Sequence, residues 1–120
     1  MSSVCGRKRR ALVAEDDGCL RLLIEELLTR AGFGVTSVEN GEKALEKLDE
    51  ENFDILITDV QMPRMSGWEL LKSLDVSRTP SKVIVMSGNP YLLESGCGEK
   101  PVVMLHKPFN NSEFLDMVCN

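Results

Sequence analysis

The groups able to do chemistry in this chain sit at the ends of apolar runs. Glu15 and Asp16 follow Ala11 to Ala14, Asp59 follows Ile55 to Thr58, Ser87 follows Val83 to Met86, and Lys107 comes soon after Val102 to Leu105. Short apolar runs separated by helical patterns read as the buried strands of a parallel sheet. Such sheets place their ligand sites beyond the carboxyl ends of the strands, so these groups are expected to converge. Carboxylates about 5 Å apart repel by roughly 3 kcal/mol a pair at an effective dielectric of about 20, so a cation must sit among them. Lys107 alone cannot offset Glu15, Asp16 and Asp59. An all-oxygen site with open positions suits a hard divalent ion that keeps several waters and also binds phosphate, which points to Mg2+.

A chain of 120 residues has room for one domain around one core. Its 42% hydrophobic and 28% charged residues are ordinary for a soluble globular protein. No apolar stretch approaches the ~18 residues needed to span a bilayer. Residues 1–10 end in the basic run Arg7-Lys-Arg-Arg10 but lack the apolar segment of a signal peptide. They read as a basic tail, with the domain at 11–118 and the cytoplasm as its compartment. A net charge of −5 argues against direct binding of nucleic acid, because neutralising phosphates needs a basic surface. Cys5, Cys19, Cys97 and Cys119 show no C-x-x-C or zinc spacing and are expected to be reduced bystanders.

The elements that must position the polar groups follow from periodicity. Leu12 to Ala14 opens as a strand, and Leu20, Leu23, Ile24, Leu27, Leu28 and Ala31 then recur at the helical period. Gly32-Phe-Gly34 lies after that helix and before the strand Val35 to Val38. It therefore reads as a C-cap and turn, not as a dinucleotide fingerprint. A helix over Glu42 to Glu51, a strand at Ile55 to Asp59, a short helix near Trp68 to Ser73 and a strand at Lys82 to Ser87 come next. A brief helix near Tyr91 to Ser95, a strand at Val102 to Leu105 and a helix from Ser112 to Val118 complete the chain. Alternation of this kind implies a five-stranded parallel sheet with helices on both faces, an α/β doubly wound fold.

The segments LVAEDD (12 to 17), ILITDVQMPRMSGWELL (55 to 71), VIVMSGN (83 to 89) and HKPF (106 to 109) occur in an order that resembles the receiver domain of two-component response regulators, over residues 11 to 118. The resemblance implies the CheY-like, flavodoxin-like strand order 2-1-3-4-5. It also implies that Asp59 accepts a phosphoryl group from a histidine kinase or phosphotransfer protein. By the same resemblance Asp16 and Asp59 ligate Mg2+ directly, Glu15 acts largely through water, and the Gln61 backbone carbonyl completes the ligands. Phosphoryl transfer spreads charge over equatorial oxygens, so positioning and neutralisation are the protein's task. Lys107 and Ser87 are the groups for those oxygens, and the resemblance implies a cis Lys107–Pro108 bond. The carboxylate nucleophile needs no general base.

Taken singly, each group has a structural reading. The acids could be a helix-start cluster, Ser87-Gly88-Asn89-Pro90 a turn, and Lys107 a solvated side chain. Together those readings require coincidences at four strand ends. His106 reads as a strand-end residue and Trp68 as half-buried at a helix start. Met104 stands where receivers commonly carry an aromatic residue, so an aromatic flip is not available, and Gly96 and Gly98 suggest a stunted helix between Asn89 and Pro101. A Mg2+-dependent aspartyl-phosphate phosphatase of the haloacid-dehalogenase kind would carry an Asp two residues after the nucleophile, where Gln61 stands. A scaffold that has lost its chemistry would be expected to lack one of the acid pair Glu15 and Asp16, Asp59 or Lys107, and this chain keeps all of them. The expected output is through an unknown downstream protein, from a monomer or weak dimer. A receiver cut from a hybrid histidine kinase is the alternative context.

Overall fold

The computed structural model describes residues 8–89 and 102–119. In chain order these form β1 (Arg10–Ala14), α1 (Gly18–Arg30), β2 (Gly34–Val38), α2 (Gly41–Glu50), β3 (Ile55–Asp59), α3 (Gly67–Lys72), β4 (Lys82–Ser87), β5 (Val103–His106) and α4 (Asn111–Cys119), with a 3-10 turn at Val76–Arg78. The strands make one 5-stranded sheet in the order β2-β1-β3-β4-β5. Every pairing is parallel. This is the doubly wound order expected from the resemblance. The helix expected near Tyr91 to Ser95 lies outside the described residues.

Side chains alternate across a strand, and that period sorts the core into two layers. Ala11, Val13, Ile55, Ile57, Ile84 and Met86 face one way and meet Ile24, Leu27 and Leu28 of α1 and Phe114 and Val118 of α4. Leu12, Ala14, Leu56, Val83 and Val85 face the other way, against Ala44 and Leu48 of α2 and Leu70 and Leu71 of α3. Apolar residues of both parities are therefore buried, which is why the strands read as continuous runs.

Helix starts are set by polar side chains that accept otherwise unpaired backbone N–H groups. Asp17 caps α1 through Cys19 and Leu20, and Asn40 caps α2 through Lys43. Ser66 and Glu69 form a capping box on α3. Asn110 and Glu113 exchange the same pair of bonds, at 2.8 and 3.0 Å, at the start of α4. Gly32, at φ +100, turns the chain out of α1 as the C-cap reading required.

The segment between β3 and α3 is held against its neighbours. The Val60 N–H donates to the Met86 carbonyl at 2.9 Å, and the Gly67 N–H donates back to Val60 at 2.9 Å. A Cβ on Gly67 would lie 2.4 Å from the Asp59 carbonyl oxygen, and one on Gly41 would lie 2.5 Å from that of Met65. Both helix N-termini approach the loop that follows Asp59 as closely as backbone can. Gly67→Ala is accordingly expected to push the Asp59 backbone away and cost about 1 to 3 kcal/mol, the range for overpacking, read from the urea midpoint. An unchanged midpoint would mean that the loop yields freely.

Candidate functional site

The carboxyl edge of the sheet gathers its polar groups from β1, β3, β4 and the segment after β5. Carboxylate oxygens of Glu15, Asp16 and Asp59 lie within 4.8 Å of one another. Glu15 is 1% exposed and Asp59 6%, whereas Asp16 is exposed. The Lys107 ammonium bridges the two buried acids, 2.5 Å from Asp59 Oδ2 and 3.0 Å from Glu15 Oε1. Lys107 thus meets two of the acids, and Asp16 makes no hydrogen bond or ion pair among the described residues.

Each position has a local cause. Glu15 directly follows β1, its N–H bonded to the Val38 carbonyl and its own carbonyl accepting from the Arg21 guanidinium at 2.8 Å. Asp17, third of the acid run, is spent on the α1 cap, so the helix-start reading holds for that residue and not for its neighbours. Asp59 is the last residue of β3, with Oδ1 accepting from the Gln61 N–H at 3.2 Å. Gln61 is exposed beside it. Lys107 follows β5, its N–H donating to the Ser87 carbonyl at 2.9 Å, and the Lys107–Pro108 bond is cis.

Ser87 is buried at the end of β4, but its hydroxyl accepts from the Asn89 N–H at 2.9 Å and donates to the Asn89 carbonyl at 3.3 Å. It closes its own turn, as its sequence context also allowed. His106 is the exposed end of β5 and Trp68 is half-buried at the start of α3. Cys19 and Cys119 are free and exposed. Sequence reading gave no role to Gly41, Gly67 or Arg21. A glycine needed for close approach looks, in sequence, like any glycine at a helix start.

The family model of the response regulator receiver domain matches residues 11–119. The chain belongs to this family. CpdR, a response regulator receiver protein of Brucella abortus, is 32% identical over 112 residues, which cover 92% of this chain and 93% of CpdR. The transcriptional regulatory protein FixJ of Bradyrhizobium diazoefficiens is 32% identical over 114 residues, covering 92% of this chain and 55% of FixJ. This receiver thus spans about half the length of that relative. The signal receiver domain of a response regulator from Bermanella marisrubri superposes with a TM-score of 0.84 at 32% identity, covering 94% of this chain and 97% of that one. No helix among the described residues of the receiver is long and apolar enough to cross a membrane.

Electrostatics at the site follow from burial. Desolvation pushes the Glu15 carboxyl up to about 7, against the opposing pull of the Asp17 N–H and of Lys107, with Asp59 raising it further. Burial would lower the Lys107 ammonium, but its bonds to Asp59 and Glu15 outweigh that and raise it. A carboxyl that stays protonated to about pH 7 when folded but only to 4.5 when unfolded binds more protons in the folded state. Its contribution to stability is then full below pH 4.5 and is lost as pH rises through 7. In EDTA, the stability of Glu15→Gln relative to the parent should therefore rise between those limits by up to about 3 kcal/mol, read from urea unfolding at stepped pH. A difference flat with pH would show that Glu15 is ionised throughout.

Proposed function

We propose that this receiver domain, residues 11–118 following a basic tail at 1–10, is a phosphoacceptor that takes a phosphoryl group on Asp59 from a phosphohistidine. The observation that carries this reading is the Asp59 carboxylate, buried at a strand end among other acids and held by the Lys107 ammonium at 2.5 Å. In the transfer, an Asp59 oxygen forms a bond to phosphorus as the P–N bond breaks, and the electron pair returns to the donor imidazole. No proton needs to leave the nucleophile, so no general base is required. Lys107 meets charge developing on one equatorial oxygen as a point charge.

The donor set fits Mg2+, since it is all oxygen, doubly acidic beyond what Lys107 offsets, and left open at Asp16. Asp16, Asp59 and the Gln61 carbonyl would hold the ion, with Glu15 beside them. Bound there, Mg2+ supplies charge neutralisation for the phosphoryl oxygens. Ser87 reaches a phosphoryl oxygen by turning its hydroxyl proton from the Asn89 carbonyl. Phosphorylation adds about −1.5 to −2 charge and favours that exchange, which would remodel the turn after β4. Beside Lys107 lies an apolar cavity of about 520 Å³, lined in part by Leu20, Leu23 and Phe109. The kinase or phosphotransfer protein is a partner in the cytoplasm or, for a receiver cut from a hybrid histidine kinase, another part of the same protein, and the receiver itself is a regulatory phosphoacceptor with no turnover substrate.

Incubation with acetyl phosphate and Mg2+ should add one phosphoryl group, labile to hydroxylamine, and Asp59→Asn should abolish it. Labelling of Asp59→Asn to the parent's extent would refute the assignment. The acids next to β1 separate in a second measurement. Asp16→Asn should weaken Mg2+ binding on the order of tenfold or more in calorimetry. Asp17→Asn should leave that affinity in place, because Asn caps a helix nearly as well as Asp. Equal losses would mean that the acid pair is misassigned.

A further inference from the structure

Both carboxylate oxygens of Glu15 are already engaged. Oε1 accepts from the Lys107 ammonium and Oε2 from the Asp17 N–H, each at 3.0 Å. The main chain on either side is fixed as well, by Val38 and Arg21. Asp16, one residue on, is exposed and unpaired among the described residues. A divalent ion arriving at the cluster therefore meets a free carboxylate at Asp16 and, at Glu15, one whose two oxygens each already hold a partner.

Lysine carries a point charge on a flexible stem, so its place is set by the anions that hold it. Here they are Asp59 and Glu15, 48 and 92 residues away in sequence. Once Asp59 is committed to an ion or has become an acyl phosphate, Glu15 is the carboxylate still in contact with the ammonium. We propose that Glu15 is a positioning residue for Lys107, holding the ammonium at the acceptor while Asp16 and Asp59 take the ion. The role deepens the phosphoacceptor reading of Asp59 and rests on it.

Above about pH 7, where the Glu15 carboxyl is ionised, Glu15→Gln keeps an acceptor for the Asp17 N–H while removing the charge that holds Lys107, so it separates the roles. By calorimetry its Mg2+ affinity should stay within about threefold of the parent, whereas Asp16→Asn should lose on the order of tenfold. At saturating Mg2+, beryllofluoride should bind Glu15→Gln on the order of tenfold more weakly than the parent. In EDTA, reductive methylation of Lys107, followed by mass spectrometry, should be faster in Glu15→Gln than in the parent and unchanged in Asp16→Asn. A loss of Mg2+ affinity in Glu15→Gln as large as in Asp16→Asn would make Glu15 a ligand and overturn the proposal. So would Lys107 reactivity equal to the parent's. Should the parent itself fail to bind beryllofluoride, the phosphoacceptor reading falls, and the methylation arm still decides whether Glu15 holds Lys107.

Discussion

A single ammonium between two buried carboxylates is the contact on which the carboxyl edge of this fold depends. Glu15 and Asp59 are nearly inaccessible to water, so each would carry a desolvation penalty of several kcal/mol if ionised alone. Lys107 offsets part of it for both. The contact spans most of the chain, and Lys107 reaches its place only when β5 has paired with β4, and β4 with β3. Fold and site are thus one condition. The acids at the edge destabilise the chain they belong to, and Lys107 compensates two of them but leaves Asp16 uncompensated and open to solvent. An excess of negative charge at a place that gains nothing structural from it is the physical mark of a site built for a cation or for a group that brings one.

Rigidity is distributed unevenly around that edge. On the β3 side, the loop after Asp59 is gripped by Gly41 and Gly67 at distances that no side chain would permit. Arg64, at φ 73, takes a left-handed conformation there that disfavours any residue but glycine, and its guanidinium pairs with Glu42 at 3.3 Å. On the β4 side, the Ser87 hydroxyl is bonded, among the described residues, to its own turn through Asn89. The Asp59 backbone is therefore fixed while the Ser87 hydroxyl can exchange partners. In the phosphoacceptor reading, a charge added at Asp59 would meet stiff resistance in one direction and a replaceable hydrogen bond in the other, which would direct conformational change toward β4.

Much of this was legible in the sequence because burial writes itself as runs. Strands covered on both faces are apolar at every position, and their polar ends mark where the sheet stops. The boundaries were less legible. β1 begins at Arg10 and not Leu12 because Arg10 pairs with Gly34, and β5 runs Val103–His106 and not Val102 to Leu105 because its register is set by β4. Such pairings belong to two strands at once and leave no mark in either alone. Local chemistry fared similarly. The run Glu15-Asp16-Asp17 contains a buried bridge, an open ligand and a helix cap in succession, and three adjacent acids look alike until the helix has a start. Ser87 was expected among the converging groups. It is at the right strand end, but its hydroxyl closes a turn whose partner is a backbone amide.

In the phosphoacceptor reading, Met104 sets a further constraint on any switch. It is partly buried on β5, packed against the core layer that holds α2 and α3. A methionine repacks through small rotamer changes and presents no rigid ring that must lie either in or out. Side-chain repacking at this position is therefore graded where an aromatic would be two-state. The tighter link between β4 and β5 runs through the main chain: the Lys107 N–H donates to the Ser87 carbonyl, so the residue whose ammonium binds Asp59 and the residue whose hydroxyl can move share a backbone hydrogen bond of 2.9 Å. A displacement of either is passed to the other without an intervening side chain. In the phosphoacceptor reading, that main-chain bond lets this chain dispense with the aromatic at position 104, because the two groups that sense the phosphoryl oxygens are already mechanically joined.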